Sequence, residues 1–543
     1  MTANASSSSA TDPSSVPALG LDLLSTSRLP SLPSAFLSGR DRDLLAPVRF
    51  LAPGDMPTDS PPPGVDRGEL ARALATANAA YGHPAAERLA EQLADPETRV
   101  VVTGQQPGLF GGPLYALSKM VAAVRWAETL TAAGHPAVAV FWVATEDHDW
   151  AEIAQASFLT RGELRRFDLG PDPTPLLPVG MRTFGDGLEA ILNELEDDVD
   201  PSGAYRPDAR IGEAFCRLMV ATLGARAPLM LDSMLPEVKK LQQPLLRRLV
   251  ERRDELAEQQ AAADAEIERR GYALQVKPQP GLSPLFLLHG QERRRIAWDE
   301  AGSYTLRGLD EAYPLEQLYQ LIDENPAAVS PGVLARPAIQ DALLGTTLQI
   351  MGPAELSYMS QVAPAYSVLD IEPPWTSLRP QVLALEARQA GYLEELGVSL
   401  EELFETPLDR LVADKLGVDP VGPVRAQVDA LLAGLDEPLL ALDRGLAGPL
   451  EKTRSHIGRG LDQLAGKVAG AVARRHDVWS RRLEQLHSAC LPGGKPQERV
   501  LSVGHFLARY GTDVGSVLAD HIGLDPRTLH IIRIPPAPRS APA

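Results

Sequence analysis

Two stretches decide the fold: VVVTGQQPGLFGGPLYALSK at residues 100–119 and AVAVFWVATEDHD at residues 137–149. Each begins with a valine-rich apolar run, which is typical of a strand covered on both faces. Between the runs, residues 113–132 carry apolar side chains at helical spacing, so the sequence predicts a right-handed βαβ unit of an α/β fold. Ligands bind at the carboxyl ends of strands in an open parallel sheet, and the polar residues of both stretches are expected to meet there.

Length and composition narrow the class of protein. A chain of 543 residues exceeds the roughly 250 to 300 residues of a single core, which indicates two or three domains. The formal charge of −19 argues against a nucleic-acid partner, because such binding needs clustered Lys and Arg. Two distant cysteines encode neither a disulfide framework nor a thiolate zinc site. With neither a secretory signal nor an apolar span in the sequence, we expect a soluble cytoplasmic protein.

Local patterns predict further elements along the chain. Residues 69–93 predict one helix, residues 158–200 look irregular, residues 211–223 predict a helix and residues 227–231 a short strand. Residues 236–270 predict a long helix or a helix pair, and residues 272–307 a β-meander. Beyond residue 380, helix formers dominate with few strand signals. Apolar residues from Leu450 to Leu486 recur at spacings of three, four or seven, which predicts a long helix packed against residues 424–446 or against a second subunit.

Two Gly-Pro turns open predicted helices, at Gly112-Pro113 and Gly352-Pro353. Proline fits the first helical position, and the free N-H groups of the next turn can bind a carboxylate or phosphate. Each turn could equally be a well-capped helix start without a ligand. Gln105 and Gln106 offer neutral amide donors and acceptors beside the first turn. Neither G-x-G-x-x-G nor a P-loop motif occurs, which argues against ordinary NAD or P-loop ATP binding.

The loop Glu146-Asp147-His148-Asp149 places three carboxylates around an imidazole. Such a cluster stabilises protonated His148 and suits a general base near neutral pH. The same residue types could bind a divalent metal, or form an acidic solvated loop.

Further residues are candidates for substrate binding. Lys119 lies about two turns into the first helix and could reach an anion or extend to solvent. Arg336 is the favoured carboxylate clamp, with Gln340 beside it, although an ion pair with Asp341 is an equally available role. Tyr115 would shape the same site. Glu355 and Tyr358 would close that site from the neighbouring turn.

Five segments resemble, in order and spacing, the bacillithiol biosynthesis cysteine-adding enzymes, the cysteine ligases. These segments are TGQQPGLFGGPLYALSK (residues 103–119), FWVATEDHDWAEI (141–153), SPGVLARPAIQDALL (330–344), GPAELSYMSQ (352–361) and PGGKPQERV (492–500). The resemblance implies a Rossmann-like core related to class I aminoacyl-tRNA synthetases and a C-terminal coiled-coil domain that supports homodimers. It also implies the reaction, in which the carboxyl group of cysteine is joined to the amino group of glucosaminyl malate.

The resemblance also implies how the chain divides into domains. We expect a disordered tail at residues 1–17, a Rossmann-like core at 18–380 with insertions near 158–226 and 236–312, a helical coiled-coil domain at 381–496, and a segment at 497–543 that packs back on the core. The related superfamily opens its first helix with a histidine motif, whereas residues 111–115 contain no histidine, which argues against adenylate formation through that motif.

Activation of cysteine still requires a phosphoryl or acyl donor. A nucleotide, ATP or ADP, is the candidate cofactor, and no metal is implied. The mechanistic hypothesis places the malate carboxylates against Gly112-Pro113 and Arg336, with His148 as base between Glu146 and Asp149. The rival functions are a metal-dependent hydrolase or transferase that uses the acidic loop, and a non-catalytic scaffold.

Overall fold

The computed structural model describes residues 19–535 except 27, 58, 196–197, 300–301 and 418. The predicted disordered tail at residues 1–17 lies outside these described residues. The strands are β1 (Leu19–Asp22), β2 (Arg49–Phe50), β3 (Arg99–Gln105), β4 (Ala137–Val143), β5 (Gln155–Thr160), β6 (Glu163–Asp168), β7 (Leu229–Asp232), β8 (Leu282–His289), β9 (Glu292–Trp298), β10 (Ser303–Leu306), β11 (Ala312–Pro314), β12 (Val329–Pro331), β13 (Thr346–Met351), β14 (Trp375–Leu378), β15 (Gln381–Glu386) and β16 (Thr528–Ile534).

The α-helices alternate with these strands in the first 380 residues and dominate after them. They are α1 (Ser31–Leu37), α2 (Arg67–Ala80), α3 (Ala86–Ala94), α4 (Leu114–Ala132), α5 (Trp150–Ile153), α6 (Gly187–Glu194), α7 (Ile211–Leu223), α8 (Pro236–Glu251), α9 (Arg253–Arg269), α10 (Leu315–Glu324), α11 (Arg336–Leu344), α12 (Pro353–Leu369), α13 (Ala387–Leu396), α14 (Leu400–Glu405), α15 (Leu408–Lys415), α16 (Gly422–Ala433), α17 (Asp436–Leu442), α18 (Ala447–Arg475), α19 (Asp477–Cys490), α20 (Gln497–Val500), α21 (Val503–Tyr510) and α22 (Asp513–His521). Within the described residues, no helix combines the length and apolar character needed to cross a bilayer.

A six-stranded parallel sheet forms the centre of the core, in the order β2-β14-β13-β3-β4-β7. The predicted βαβ unit is confirmed as β3-α4-β4, with Val100 opposite Val138 and Gly104 opposite Trp142. Alternate residues of β4 enter separate apolar clusters, Val140 on one face and Phe141 on the other. Both faces are therefore covered, as the unbroken apolar runs predict.

Strand β3 lies where the order of the sheet reverses. The chain leaves β3 through α4 to β4 on one side, while β13 pairs with β3 on the other side. Connections that diverge in this way leave a crevice at the carboxyl ends of the two central strands. The second strand-turn-helix unit, β13-α12, opens onto the same crevice as the first.

Two predictions for the first half of the chain are wrong. Residues 69–93 form two helices because Gly82 has a left-handed φ of 82° and Pro84 follows it. Residues 158–200 contain most of the β5–β6 hairpin and α6, where irregular chain was predicted. Strand β6 has the sequence ELRRFD, whose charged residues hide the strand because only Phe167 is buried.

The C-terminal part begins with a strand that the sequence analysis missed. Strand β15 pairs in parallel with β16, and β16 pairs with β1 in the opposite direction. The helices from α13 to α22 are thus inserted between two strands of one sheet. Helix α16 runs against α18, where Arg425 donates to the Gly458 carbonyl at 3.2 Å and Arg454 to the Leu432 carbonyl at 2.8 Å.

Candidate active site

A cavity of about 570 Å³ lies at the carboxyl edge of the central sheet. Its floor is formed where four neighbouring strands end, at Gly104 after most of β3, Ala144 after β4, Gly352 after β13 and Arg379 after β14. A Cβ at Gly104 would lie 2.7 Å from the Trp142 carbonyl oxygen. Glycine therefore allows β3 and β4 to approach each other at the base of the cavity.

Lys119 lies at this base with all three ammonium protons engaged. Its Nζ donates to the Gly104 carbonyl at 2.8 Å, to Gln105 Oε1 at 3.0 Å and to Glu355 Oε2 at 2.5 Å. Burial lowers the pKa of Lys119, and Glu355 acts in the opposite direction. Glu355 also accepts the Gly352 N-H at 2.6 Å, so its own carboxylate occupies the start of α12.

Arg336 lies in the same cavity and has two neutral partners, Gln340 and the Tyr358 hydroxyl. Its NH1 group donates to Gln340 Oε1 at 2.9 Å, and Gln340 Nε2 donates to Asp341 at 3.2 Å. Asp341 is buried behind the cavity, where the Tyr366 hydroxyl donates to it at 2.5 Å. Burial raises the pKa of Asp341 to about 6. In the described part of the chain, no carboxylate forms an ion pair with Arg336, so its charge is available to a ligand.

The segment at residues 497–503, which we call the C-terminal connection, reaches the cavity from beyond the coiled coil. Glu498 accepts hydrogen bonds from both terminal nitrogens of Arg379, at 2.8 and 2.6 Å, and both side chains are 2% exposed. Arg379 also lies over the Tyr115 ring, 5.4 Å from its centroid. The next residue, Arg499, lines the cavity and forms no ion pair among the described residues.

Two carboxylates of the acidic loop are held by other side chains. Glu146 is 5% exposed and forms a buried ion pair with Lys239. Asp147 accepts from Gln106 Nε2 at 2.6 Å and from the His148 N-H at 2.7 Å. Arg293 lies 3.6 Å from Asp147. Both carboxylates face cations that already balance their charge.

His148 is in direct contact with Arg293, and both side chains line the cavity. Arg293 NH1 lies 3.3 Å from His148 Nδ1, and its guanidinium stacks 3.8 Å from the Phe286 ring centroid. Arginine can only donate, so Nδ1 accepts and the ring proton of neutral His148 is on Nε2. Burial, followed by the charge of Arg293, lowers the pKa of His148.

Glu152 lies at the mouth of the cavity. Its Oε1 accepts from Gln105 Nε2 at 3.0 Å, and the same amide lies 3.3 Å from the Tyr115 hydroxyl. Glu152 is exposed at this rim, and the protein around it desolvates its carboxylate only in part. That desolvation, with the nearby charges of Asp149 and Asp147, raises the pKa of Glu152 to about 7.

Two family models match this chain, one over the α/β core and one over the helical C-terminal region. Residues 57–380 match the model described as "Bacillithiol biosynthesis BshC, N-terminal Rossmann-like domain", and residues 382–523 match "Bacillithiol biosynthesis BshC, C-terminal coiled-coil domain". The chain belongs to the bacillithiol biosynthesis BshC family. The family's domains agree with the α/β core and the helical C-terminal region described above.

Individual relatives give the same assignment over most of the chain. A Salinibacter ruber protein is 32% identical over 470 residues, which cover 82% of this chain and 85% of the relative. A Solibacter usitatus protein is 31% identical, with 80% and 84% covered, and a Geobacillus thermodenitrificans protein is 26% identical, with 78% and 82% covered. All three carry the name "Putative cysteine ligase BshC".

The structure brings most of the predicted site residues of this family member together. The cavity is lined by Gln105, Gln106, Tyr115, Lys119, Glu146, Asp147, His148, Arg336, Glu355 and Tyr358. Their catalytic and binding roles stay predictions. Four predicted residues do not line this cavity, namely Gly112, Asp149, Gln340 and Asp341. Asp149 caps α5 by accepting the Glu152 N-H at 3.3 Å and faces a neighbouring groove.

The expected anion site at Gly112-Pro113 is wrong. Pro113 is the residue before α4 rather than its first residue. The C-terminal connection covers this helix start, because the Leu114 N-H donates to the Leu501 carbonyl at 2.9 Å and the Val503 N-H to the Gly112 carbonyl at 2.8 Å. A Cβ at Gly111, whose φ is +84°, would lie 2.8 Å from Val503 Cβ. Residues 501–503 therefore fill the space in front of this turn, where the anion was expected to bind.

The expected stabilisation of protonated His148 is also wrong. The sequence shows its acidic neighbours but not Arg293, which lies 145 residues away and occupies Nδ1. Among the described residues, the cavity carboxylate without an ion pair is Glu152, which was not among the predicted site residues. Its position three residues after Asp149, in a capping arrangement, was the available signal.

Other cavity residues missed by the sequence analysis are Phe286, Arg293, Arg379 and Arg499. Arg499 lies inside one of the five segments that resemble the family, and Arg379 directly follows β14. Arg293 carries no such signal, because its hairpin is an insertion into the core. The cavity therefore has available guanidinium groups, Arg336 and Arg499, and a carboxylate edge at Glu152 and Asp147.

Neither a metal nor a phosphate fits the predicted positions. Among the described residues, no three His, Cys, Asp or Glu side chains form a group that could hold a metal ion. The metal-dependent alternative is accordingly not supported. A phosphate at the start of α12 would meet the Glu355 carboxylate, and the start of α4 is closed by residues 501–503.

Proposed function

We propose that this protein joins the carboxyl group of cysteine to the amino group of glucosaminyl malate, as a cysteine ligase of bacillithiol biosynthesis. The observation that carries the proposal is a cavity at the switch point of the sheet with uncompensated arginines in a chain of this family. Glucosaminyl malate has two carboxylates and one amine, so a site for it needs cationic groups and an anionic edge. The scaffold alternative gives no reason for such a cavity.

Arg336 and Arg499 are suited to the two malate carboxylates. A guanidinium binds a carboxylate through paired hydrogen bonds, and such charge-assisted bonds are stronger than neutral ones. Arg336 has neutral partners, the Gln340 amide and the Tyr358 hydroxyl, and the Arg499 side chain has none in the described part of the chain. Lys119 is less suitable, because Glu355 already neutralises it.

The amino group then lies toward the acidic edge. Asp147 and Glu152 belong to this cavity and also to a neighbouring groove lined by Asp149, Asp168 and Asp172. Carboxylates attract an ammonium group, so the substrate is oriented with its charges matched at both ends. Such orientation reduces the entropic cost of bringing amine and carbonyl together.

Activation of the cysteine carboxyl needs a donor, and we include ATP and ADP as candidates. Neither helix start described above fits a phosphate, so no catalytic step is derived through a nucleotide. We also infer a cytoplasmic site of action, which is supported by two buried cysteines that remain free thiols, Cys216 and Cys490.

We further propose a homodimer formed through the C-terminal helices. Large apolar side chains there are exposed, including Leu431 at 74%, Leu442 at 78% and Leu464 at 50%. Among the predicted α18 seam residues whose side chains are described, only Leu450 is buried and Leu464 is exposed, so the chain itself covers this seam only in part. A second copy would bury these side chains and gain about 25 cal/mol per Å² of apolar surface.

The proposed function is tested by incubating purified protein with cysteine, glucosaminyl malate and ATP, and following the product by mass spectrometry. Thermal shifts with each compound alone and in pairs show which ones bind. We expect glucosaminyl malate to raise the melting temperature and the complete mixture to give the cysteinyl product. Absence of both a thermal shift and a product would refute the function.

A further inference from the structure

The carboxylates that line the cavity differ in their partners. Glu146 faces Lys239, Asp147 faces Arg293 and Glu355 faces Lys119. Glu152 alone among the cavity-lining carboxylates forms no ion pair in the described part of the chain. Among the described residues, the donor to its carboxylate is the neutral Gln105 amide, at 3.0 Å. A carboxylate without a cation in a cationic cavity is suited to a charged group of the ligand.

The position of Glu152 also fits a proton acceptor. It lies at the junction of the cavity and the acidic groove, where a bound ammonium group would be attracted. Partial desolvation, followed by the charges of the neighbouring Asp149 and Asp147 carboxylates, raises the pKa of Glu152 to about 7. A base is most effective when its pKa lies near the working pH.

Other cavity side chains are less able to accept a proton. His148 Nδ1 already accepts from Arg293. Lys119 is held as a donor by three oxygens. Burial raises the pKa of Tyr115, so its hydroxyl stays protonated at neutral pH.

We propose that Glu152 is the general base that removes a proton from the ammonium group of the substrate before its nitrogen attacks the cysteine carbonyl. This inference rests on the proposed function. In the step, the N–H bond of the ammonium breaks, the proton bonds to a carboxylate oxygen of Glu152, and the electron pair stays on nitrogen. No further reactant is needed for this transfer. Gln105, anchored by Lys119, holds the receiving carboxylate toward the substrate.

The test compares Glu152→Gln with Glu163→Gln, an exposed glutamate on β6 outside the cavity. Glutamine keeps an oxygen for the Gln105 amide but cannot accept the proton. For Glu152→Gln we expect kcat at pH 7 to fall about 10²- to 10³-fold, the size of a general-base contribution, with KM within about threefold. Its rate should keep rising with pH until the free amine titrates, whereas wild type and Glu163→Gln level off near the pKa of Glu152. A Glu152→Gln rate within about threefold of wild type, or an unchanged pH profile, overturns the proposal.

A second measurement does not depend on turnover. Infrared difference spectra between pH 6 and 8 should contain, beside the band of Asp341, a protonated carboxyl band in wild type that is missing in Glu152→Gln. If no such band is lost, the proposal is overturned even when wild type forms product. If the band is lost but wild type gives neither a thermal shift nor a product, the titration of Glu152 is supported and the proposed function is refuted.

Discussion

Breaking the buried ion pair between Arg379 and Glu498 should destabilise the protein strongly. The pair joins the end of β14 to the C-terminal connection, and both side chains are 2% exposed. The variants are Arg379→Met, Glu498→Leu and the combination of both. Either single change leaves one charge inside the protein without its partner, whereas the combination removes both charges and replaces them with apolar side chains of similar length.

The size of the effect follows from the contacts. Glu498→Leu removes two charge-assisted hydrogen bonds, at 2.8 and 2.6 Å, and leaves the Val382 N-H, which donates to Glu498 at 2.9 Å, without an acceptor. Loss of one partner of a buried pair costs about 3 to 5 kcal/mol. That loss shifts the folding equilibrium by roughly 10²- to 10⁴-fold. The double variant should lose only about 1 to 3 kcal/mol, the cost of the unpaired Val382 N-H.

The assay is urea unfolding of all four proteins, followed by tryptophan fluorescence and circular dichroism. Glu194→Gln is the matched control, because Glu194 pairs with Arg165 at the surface, where both side chains are about half exposed. We expect that control to cost less than about 1 kcal/mol. The reasoning is refuted if the single variants cost no more than the control, or if the double variant costs the sum of the two single variants.

Three further predictions concern the ligand site and the assembly. Arg336→Gln should weaken binding of glucosaminyl malate about 10- to 100-fold by calorimetry while cysteine binding stays unchanged, because a charge-assisted contact is lost; unchanged affinity would contradict the carboxylate assignment. His148→Gln should keep product formation within about tenfold of wild type, because its Nδ1 is committed to Arg293, and a loss beyond about 10²-fold would instead identify His148 as the base. The combined change of Leu431→Glu and Leu442→Glu should halve the mass measured by light scattering, to the 58.4 kDa of one chain. Leu164→Glu, an exposed leucine outside the C-terminal helices, is the control and should leave the mass unchanged. A wild-type mass of 58.4 kDa would rule out the dimer.

The sequence predicts the centre of the fold well because the signals there are local. The apolar runs of β3 and β4 enclose a helix with regular apolar spacing, and this combination fixes the direction of both strands. The carboxyl ends of parallel strands meet at one edge, so the cavity position follows from the strands alone. Strand β6 was missed for the opposite reason, since its exposed charged residues carry no apolar pattern.

The details of the site depend on residues far apart in the chain. The sequence of the Gly112-Pro113 turn predicts an open helix start, whereas in the structure residues 501–503 pack on it. His148 reads as a base among carboxylates until Arg293 is placed against it. Sequence patterns identify which side chains share an edge, but partners brought by an insertion or by the end of the chain decide their charge and protonation.

The pairing of β16 with β1 and β15 has a consequence for synthesis on the ribosome. Strand β1 is made before the core, yet its partner β16 follows the entire helical insertion. Arg499 and the cover over the α4 start also emerge late, after the entire helical insertion. A nascent chain therefore carries an unfinished pocket until residues 497–503 have been made, and a messenger truncated after the family's first domain would encode a protein whose cavity lacks Arg499.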